Sequence, residues 1–231
     1  MRLMRFMPAA AAIVLVASCH NAPLLVGVTS EAGPWRILFD GSSLDAWRGY
    51  KGTPVPRRWH IAGNTLAKDS SVTDIVTRDE FADFELELEW KIGEAGNSGI
   101  FYRGTEEYDH IYWSGPEYQL LDDIKAEDNK TRFTCAGAAY GIYASPEGHL
   151  KPVGEWNSTR IIVKGSHVEH WLNGFKLLEY EFGSPDWLAR VKASKFSAWP
   201  NYGLAKSGHI GLQGDHPGTL AFRNIRIREL K

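Results

Sequence analysis

The sequence predicts an all-β protein, a jelly roll or β-sandwich of two antiparallel sheets. Roughly eleven to thirteen short segments have the alternation or turn boundaries of strands, and no β–α–β pattern links them. The 231 residues include 23 glycines and nine tryptophans, which suits strands joined by many tight turns. A single short helix is predicted near 185–195, because Ser184 provides an N-cap and Pro185 follows at the first helical position.

Apolar alternation identifies the strands one by one. The segment 83–92 is the clearest, since Phe84, Leu86, Leu88 and Trp90 would face a core while the residues between them are charged. Further strands are predicted at 35–40, 59–61, 65–67, 75–77, 97–103, 115–123, 156–164, 167–172, 175–182, 208–213 and 220–230. Gly63-Asn64 and Asn173-Gly174 are typical of the tight turns of hairpins.

Polar side chains at alternate positions mark two of these strands. Arg103 ends the strand 97–103, and Glu117 and Gln119 share one face of 115–123. Such groups on neighbouring strands would form a polar patch on one sheet face. Their alternative interpretation is ordinary outward-facing surface.

Two later strands add to this patch. His209 and Gln213 share a face of 208–213, while 167–172 offers either His170 or the pair Glu169 and Trp171. Carboxylate, imidazole, amide and aromatic groups together are typical of a sugar-binding groove. For His170 the alternative is a core histidine that donates to a backbone carbonyl. His216, in a turn just beyond, would lie at the groove rim.

The charge pattern excludes some functions. The net charge is −2 and no basic run is present, so nucleic acid is not an expected partner. A conventional glycosidase needs two carboxyl groups at a defined separation. Glu117 and Asp122 point to opposite faces of one strand, which does not support that chemistry.

The first residues indicate a secreted protein. An apolar run after Arg2 and Arg5 is too short to span a bilayer, so 1–18 is predicted to be a signal peptide. Its end resembles a bacterial lipobox, with Cys19 as the lipidated residue; an ordinary signal peptide or a membrane-anchored N-terminus are the alternatives. Residues 19–34 would be a tether and 35–231 a single domain. His20 after the cysteine implies an outer-membrane lipoprotein facing the periplasm, attached to the membrane through its lipid only. Cys135 would be a buried, unpaired thiol.

Eight motifs stand in order along the chain. They are LFDGSSLDAW (38–47), DFEL (83–86), GNSGIFYR (96–103), GPEYQLLDD (115–123), GEWN (154–157), EHWLNG (169–174), GHIGLQ (208–213) and FRNIRI (222–227). Together they resemble the 3-keto-disaccharide hydrolase family over about residues 35 to 230. One residue is inserted before His216 relative to the family's Leu-Gln-x-His pattern. The resemblance implies a concanavalin-like jelly roll.

The resemblance also implies a reaction. The substrate would be a glycoside already oxidised at C3 by a partner sugar 3-dehydrogenase. A base would remove the C2 proton, the C1–O bond would break by β-elimination, and water would add back. A lectin-like binding module and a conventional glycosidase are the alternative functions.

The implied reaction gives each candidate site residue an expected role. Glu117 or His170 would be the base, His209 the proton donor, and Arg103 with Gln119 the oxyanion partners. Some relatives use a divalent metal, for which Glu117, His170 and His209 would be ligands, and spacing leaves that open. The predicted substrate-binding residues are Asn97, Arg103, Gln119, Asp122, Trp171 and Gln213.

Overall fold

Two antiparallel sheets face each other in the computed structural model, which describes residues 32–231, so the predicted fold class is confirmed. The strands are β1 (Arg36–Phe39), β2 (Trp47–Gly49), β3 (His60–Ala62), β4 (Thr65–Lys68), β5 (Ile75–Thr77), β6 (Phe84–Ile92), β7 (Asn97–Gly104), β8 (Glu117–Leu121), β9 (Asn157–Lys164), β10 (His167–Leu172), β11 (Phe175–Glu181), β12 (His209–Leu212) and β13 (Leu220–Glu229).

The sheets differ in size. The eight-stranded sheet has the order β11-β10-β9-β6-β13-β4-β3, with β1 also paired to β13. The five-stranded sheet has the order β2-β5-β12-β7-β8. Strands far apart in sequence are therefore neighbours, and β12 comes to lie beside β7 and one strand away from β8.

The core lies between the two sheets. Strand β6 buries the four apolar side chains that alternation predicts, Phe84, Leu86, Leu88 and Trp90. The five-stranded sheet contributes Ile100, Tyr102, Tyr118 and Leu120 to the same cluster. Because strand side chains alternate, Glu117 and Gln119 face away from the core.

The predicted helix is present as α1 (Pro185–Ala193). The Ser184 side chain accepts a hydrogen bond of 3.1 Å from the backbone N–H of Trp187, as expected of an N-cap. Trp187 is buried and stacks on Tyr180 at 5.1 Å. A short 3₁₀ helix, Lys195–Ala198, follows and brings Lys195 towards the five-stranded sheet. Within 32–231 no helix has the length and apolar character needed to cross a membrane.

The N-terminal predictions lie mostly outside the described residues. The signal peptide, the lipidated Cys19 and the tether up to residue 31 belong to that part. Regular pairing starts slightly earlier than the predicted domain boundary, since Ala32 bridges to Leu230 and the Gly33 N–H donates to Glu229 at 2.8 Å. Cys135 is a buried free thiol, as expected.

Candidate active site

A cavity of about 250 Å³ opens on the outer face of the five-stranded sheet. It is lined by Asn97, Tyr112, Glu117, Asp128, Tyr140, Lys195, Phe196, Gln213, Asp215 and His216. Three predicted site residues meet here: Asn97 from β7, Glu117 from β8 and Gln213 just after β12. The topology that places β7 between β8 and β12 brings them together.

Glu117 is the most unusual group in the cavity. Its side chain passes beside Gly99 on β7, where a Cβ atom would come within 2.2 Å of its Oε1, so the glycine makes room for the carboxyl group. Only 6% of Glu117 is exposed. Burial raises the pKa of Glu117 to about 8, against the opposing effect of the Lys195 ammonium and with a further increase from Asp215. A carboxyl group that titrates near neutral pH is suited to proton transfer.

Amide oxygens on this face lack protein partners. Asn97 donates through Nδ2 to Asp128 at 3.2 Å, yet its Oδ1 accepts nothing from residues 32–231. Gln213 Oε1 likewise has no hydrogen-bond partner among the described residues. Gln119 is fully buried on the face of Glu117, with Nε2 bonded to the Thr134 carbonyl at 3.2 Å, but it is not a wall residue. Because buried polar atoms are normally paired, the oxygens of Asn97 and Gln213 are available as acceptors for a bound molecule.

Buried charged groups hold one wall of the cavity. The ammonium of Lys68 donates to the carbonyl of His216 at 2.7 Å, and the Asp74 carboxylate accepts from the Gly214 N–H at 2.8 Å. Burial raises the pKa of Asp74 to about 7 and lowers the pKa of Lys68. The 214–218 loop that carries Asp215 and His216 is therefore fixed from beneath. His216 was predicted to lie at the groove rim, whereas no motif or periodicity in the sequence pointed to Lys68 or Asp74.

The remaining wall comes from loops and the 3₁₀ helix. Lys195 Nζ lies 4.3 Å from the ring centroid of Tyr140, whose hydroxyl donates to Asp128 Oδ2 at 3.2 Å. Asp128, Tyr140 and Lys195 were not among the predicted site residues, because no periodicity marks the segments that carry them.

The prediction that His170 lines the groove is wrong. His170 lies on the inner face of β10, fully buried between the sheets. Its Nδ1 is 2.9 Å from the Gly137 carbonyl and its Nε2 2.8 Å from the Tyr102 hydroxyl. Burial lowers its pKa to about 4, so the imidazole is neutral at physiological pH. This is the core histidine of the alternative interpretation.

His209 does face outward, but not into the cavity. It begins β12, about 13 Å along the strand from Gln213. Its Nε2 lies 3.1 Å from Arg48 Nη2. Between the two, Gly211 leaves space that the Ile111 side chain fills, with Cδ1 2.7 Å from where a Cβ would be. The expected grouping of His209 with Gln213 is therefore wrong.

Arg103 is a clamp between the sheets rather than a wall residue. Its backbone φ of 48° interrupts the alternation of β7. The guanidinium donates to the Ala82 carbonyl at 2.8 Å, to Gly165 at 2.9 Å and to Asp83 at 2.9 Å. Its predicted place beside Glu117 as an oxyanion partner is wrong.

Asp122 and Trp171 also lie away from the cavity. Asp122 accepts the N–H groups of Ala95, Ile124 and Lys125 at 2.8 to 3.2 Å, so it organises a turn. Trp171 lines a separate depression of the eight-stranded sheet and donates to Glu169 at 2.6 Å. It points away from His170, its neighbour on β10, and the two could not line one groove.

The predicted metal ligands do not converge. Glu117, His170 and His209 occupy the cavity, the core and the far end of β12 respectively. Within residues 32–231, His167, Glu169 and Glu179 on the β10–β11 hairpin have ligand atoms within 4.8 Å of one another. That hairpin belongs to the eight-stranded sheet, whereas Glu117 lies on the outer face of the five-stranded sheet.

The chain is similar to known proteins over most of its length. Residues 34–228 match the model of the 3-keto-α-glucoside-1,2-lyase-like domain. A 3-keto-disaccharide hydrolase of Bacteroides thetaiotaomicron is 34% identical, over 87% of this chain and 80% of its own length. A crystal structure of a candidate glycosyl hydrolase from Parabacteroides distasonis superposes with a TM-score of 0.80 at 33% identity, covering 85% of this chain and 94% of that one.

More distant structures support the fold alone. A Bacillus subtilis protein with a galectin-like fold has a TM-score of 0.54 at 12% identity, over 87% of this chain and 97% of that one. The family assignment rests on the match over residues 34–228 and on the 34% identity of the B. thetaiotaomicron relative. The chain belongs to the 3-keto-α-glucoside-1,2-lyase-like family and is a glycoside-cleaving hydrolase.

Proposed function

We propose that the protein cleaves glycosides oxidised at C3 and that Glu117 is the base. The observation that carries the proposal is a buried carboxyl group, with its pKa raised to about 8, in a sugar-sized cavity lined by amides. The name of the 3-keto-disaccharide hydrolase relative supports the choice of substrate.

The C3 ketone makes elimination accessible to a carboxylate base. It acidifies the proton on C2, which the Glu117 carboxylate accepts. The electron pair of the C2–H bond forms the C1–C2 double bond as the C1–O bond breaks, and the leaving oxygen takes a proton. Water then adds its oxygen to C1 and gives one proton to the group that protonated the leaving oxygen, while C2 regains a proton from Glu117. The net reaction is hydrolysis, and no oxidant or reductant is consumed.

The other wall residues have roles that follow from their charge. His216, beside Asp215 at 3.7 Å, is the proton donor to the leaving oxygen, in place of the distant His209. The Lys195 ammonium stabilises the negative charge that develops on the C3 oxygen. Asn97 and Gln213 accept hydrogen bonds from hydroxyls of the ring.

The decisive experiment compares an oxidised with an unoxidised substrate. The protein is incubated with a 3-keto-disaccharide and with its parent disaccharide, with and without a chelator, and the released sugars are measured. We expect cleavage of the 3-keto-disaccharide only. Equal cleavage of the parent would indicate a conventional glycosidase, and binding of both without products would indicate a lectin-like module.

The proposal extends to partner and location. A sugar 3-dehydrogenase must supply the C3 ketone. We place the enzyme at the outer membrane, facing the periplasm and attached through lipid on Cys19, as the lipobox-like segment implies. Membrane fractionation of the wild type and Cys19→Ser tests this, and an equal membrane-bound fraction would contradict it.

A further inference from the structure

Next to the cavity, five aromatic side chains form a continuous row whose two ends belong to the cavity wall. Tyr112 lines the cavity and stacks on His110, with ring centroids 4.8 Å apart. The His110 ring meets Trp113 edge-on at 4.6 Å, and Trp113 stacks on Trp199 at 4.9 Å. Trp199 lies 6.4 Å from Phe196, which again lines the cavity. We call these five residues the aromatic row.

Apart from the buried Phe196, the row is accessible, and it is held in place. His110 is exposed, and Trp113 and Trp199 are half-buried. Two hydrogen bonds tie the segments that carry the row: the Gly203 N–H donates to the Ser114 carbonyl at 2.8 Å, and Asn201 donates to Glu107 at 2.7 Å. The tryptophans are therefore stacked before any ligand arrives, which reduces the entropy lost on binding.

The size of the cavity indicates what lies beside it. At about 250 Å³ it is smaller than the roughly 300–1,000 Å³ that enclose a drug-sized ligand. It can accept one sugar ring, so the group attached through the C1 oxygen must lie at the rim. The cavity wall carries the charged residues Asp128, Lys195 and Asp215 and also both ends of the aromatic row, Tyr112 and Phe196.

We propose that the aromatic row is the subsite for the leaving group of the glycoside, and that it favours a flat apolar ring such as that of an aromatic alcohol. Aromatic faces attract such rings through stacking and burial of apolar area. This inference rests on the proposed function, since it assigns the part of the substrate outside the cavity.

The kinetic test compares two leaving groups on one sugar. The substrates are the 4-nitrophenyl and methyl 3-keto-glucosides of the same anomeric form, and the readout is the ratio of their kcat/KM values. Loss of one stacking partner is expected to lower this ratio about tenfold in Trp199→Ala and in Trp113→Leu. Trp199→Phe retains an aromatic ring and should keep most of the wild-type ratio.

A matched control separates binding from folding. Phe175→Ala removes an exposed aromatic ring from the eight-stranded sheet and should leave the ratio unchanged. If the tryptophans only support the wall, both substrates lose activity equally and the ratio stays constant. A ratio that changes less than about twofold in both tryptophan variants would overturn the inference.

Binding without turnover distinguishes this inference from the proposed function. Calorimetry with unoxidised 4-nitrophenyl glucoside does not require the C3 ketone. We expect its Kd to be about tenfold higher for Trp199→Ala than for the wild type. If binding depends on the row but no 3-keto-glucoside is cleaved, the proposed function fails and the subsite stands. If binding is undetectable, or equal in the variants, the subsite is refuted whatever the turnover.

Discussion

The outer faces of the two sheets both carry polar side chains at alternate positions, yet their chemistry differs. On the eight-stranded sheet, each carboxylate of β6 meets an arginine of β13: Glu85 with Arg228 at 2.7 Å, Glu87 with Arg226 at 2.9 Å and Glu89 with Arg223 at 3.0 Å. Trp35 lies under two of these arginines, with guanidinium-to-ring distances of 4.4 and 4.6 Å. This face consists of paired charges that mainly support the sheet.

On the five-stranded sheet, loops cover the polar residues and bury them. Glu117 is held without a paired cation at hydrogen-bond distance within the described residues, and the oxygens of Asn97 and Gln213 lack protein partners there. Alternation therefore identifies which side chains share a face. Their neighbours decide whether that face is a paired surface or a reactive cavity.

The largest expected effect separates the two faces by activity. Glu117→Gln removes the base and should lower kcat on a 3-keto-disaccharide by about 10³-fold. Glu87→Gln removes a carboxylate of the paired face and should leave kcat unchanged. The measurement is steady-state turnover of both variants. Full activity in Glu117→Gln would reject Glu117 as the base.

The next effect concerns stability. Arg103→Ala leaves Asp83 and two carbonyls without their buried donor, so the free energy of unfolding should fall by about 3–5 kcal/mol. Arg226→Ala breaks an ion pair that is partly exposed, with 45% of the arginine side chain accessible, and should cost less than about 1 kcal/mol. Urea unfolding measures both. Similar losses in the two variants would show that Arg103 is not a clamp.

A third comparison sets stability against function. Gln213→Leu removes an amide whose oxygen has no partner in 32–231, so it should lower kcat/KM about tenfold without lowering the Tm. Asn157→Leu removes an acceptor of two hydrogen bonds, from Lys151 and Asn173, and should destabilise by about 1–3 kcal/mol. A large fall in Tm for Gln213→Leu would mean that its amide supports the fold.

The last comparison concerns the pH dependence of stability. In the folded protein Glu117 keeps its proton until pH rises to about 8, whereas in the unfolded chain a glutamate ionises near pH 4.3, about its reference value. Between these values the folded state binds the extra proton, so the free energy of unfolding falls as pH rises. The free energy of unfolding of Glu117→Gln should fall less steeply with pH, and that of Glu87→Gln should fall as steeply as that of the wild type. Urea titrations between pH 5 and pH 8 measure the slopes; equal slopes in all three would contradict the raised pKa.

Local signals explain why much of the fold could be predicted. Alternation identified β6 and its core side, Asn173-Gly174 marked the turn between β10 and β11, and Ser184 marked the start of α1. Each signal depends on neighbours within a few residues. The predictions failed where contacts with residues distant in sequence determine the position of a side chain. Arg103, at a positive φ, donates to Asp83 next to another strand, and His170 has its hydrogen-bond partners, Gly137 and Tyr102, between the sheets.

The fold class, nearly all the strands, the helix start and the family resemblance can be read from the sequence, because these depend on local periodicity and on motifs in order. The same patterns point to Glu117, Asn97 and Gln213. Which polar residues meet depends instead on how the strands and loops assemble. Strand order placed β7 between β8 and β12, and loops then brought Lys195, Asp128 and His216 over Glu117. Burial by those loops, which no local pattern encodes, makes Glu117 a base while Glu87 remains a surface ion pair.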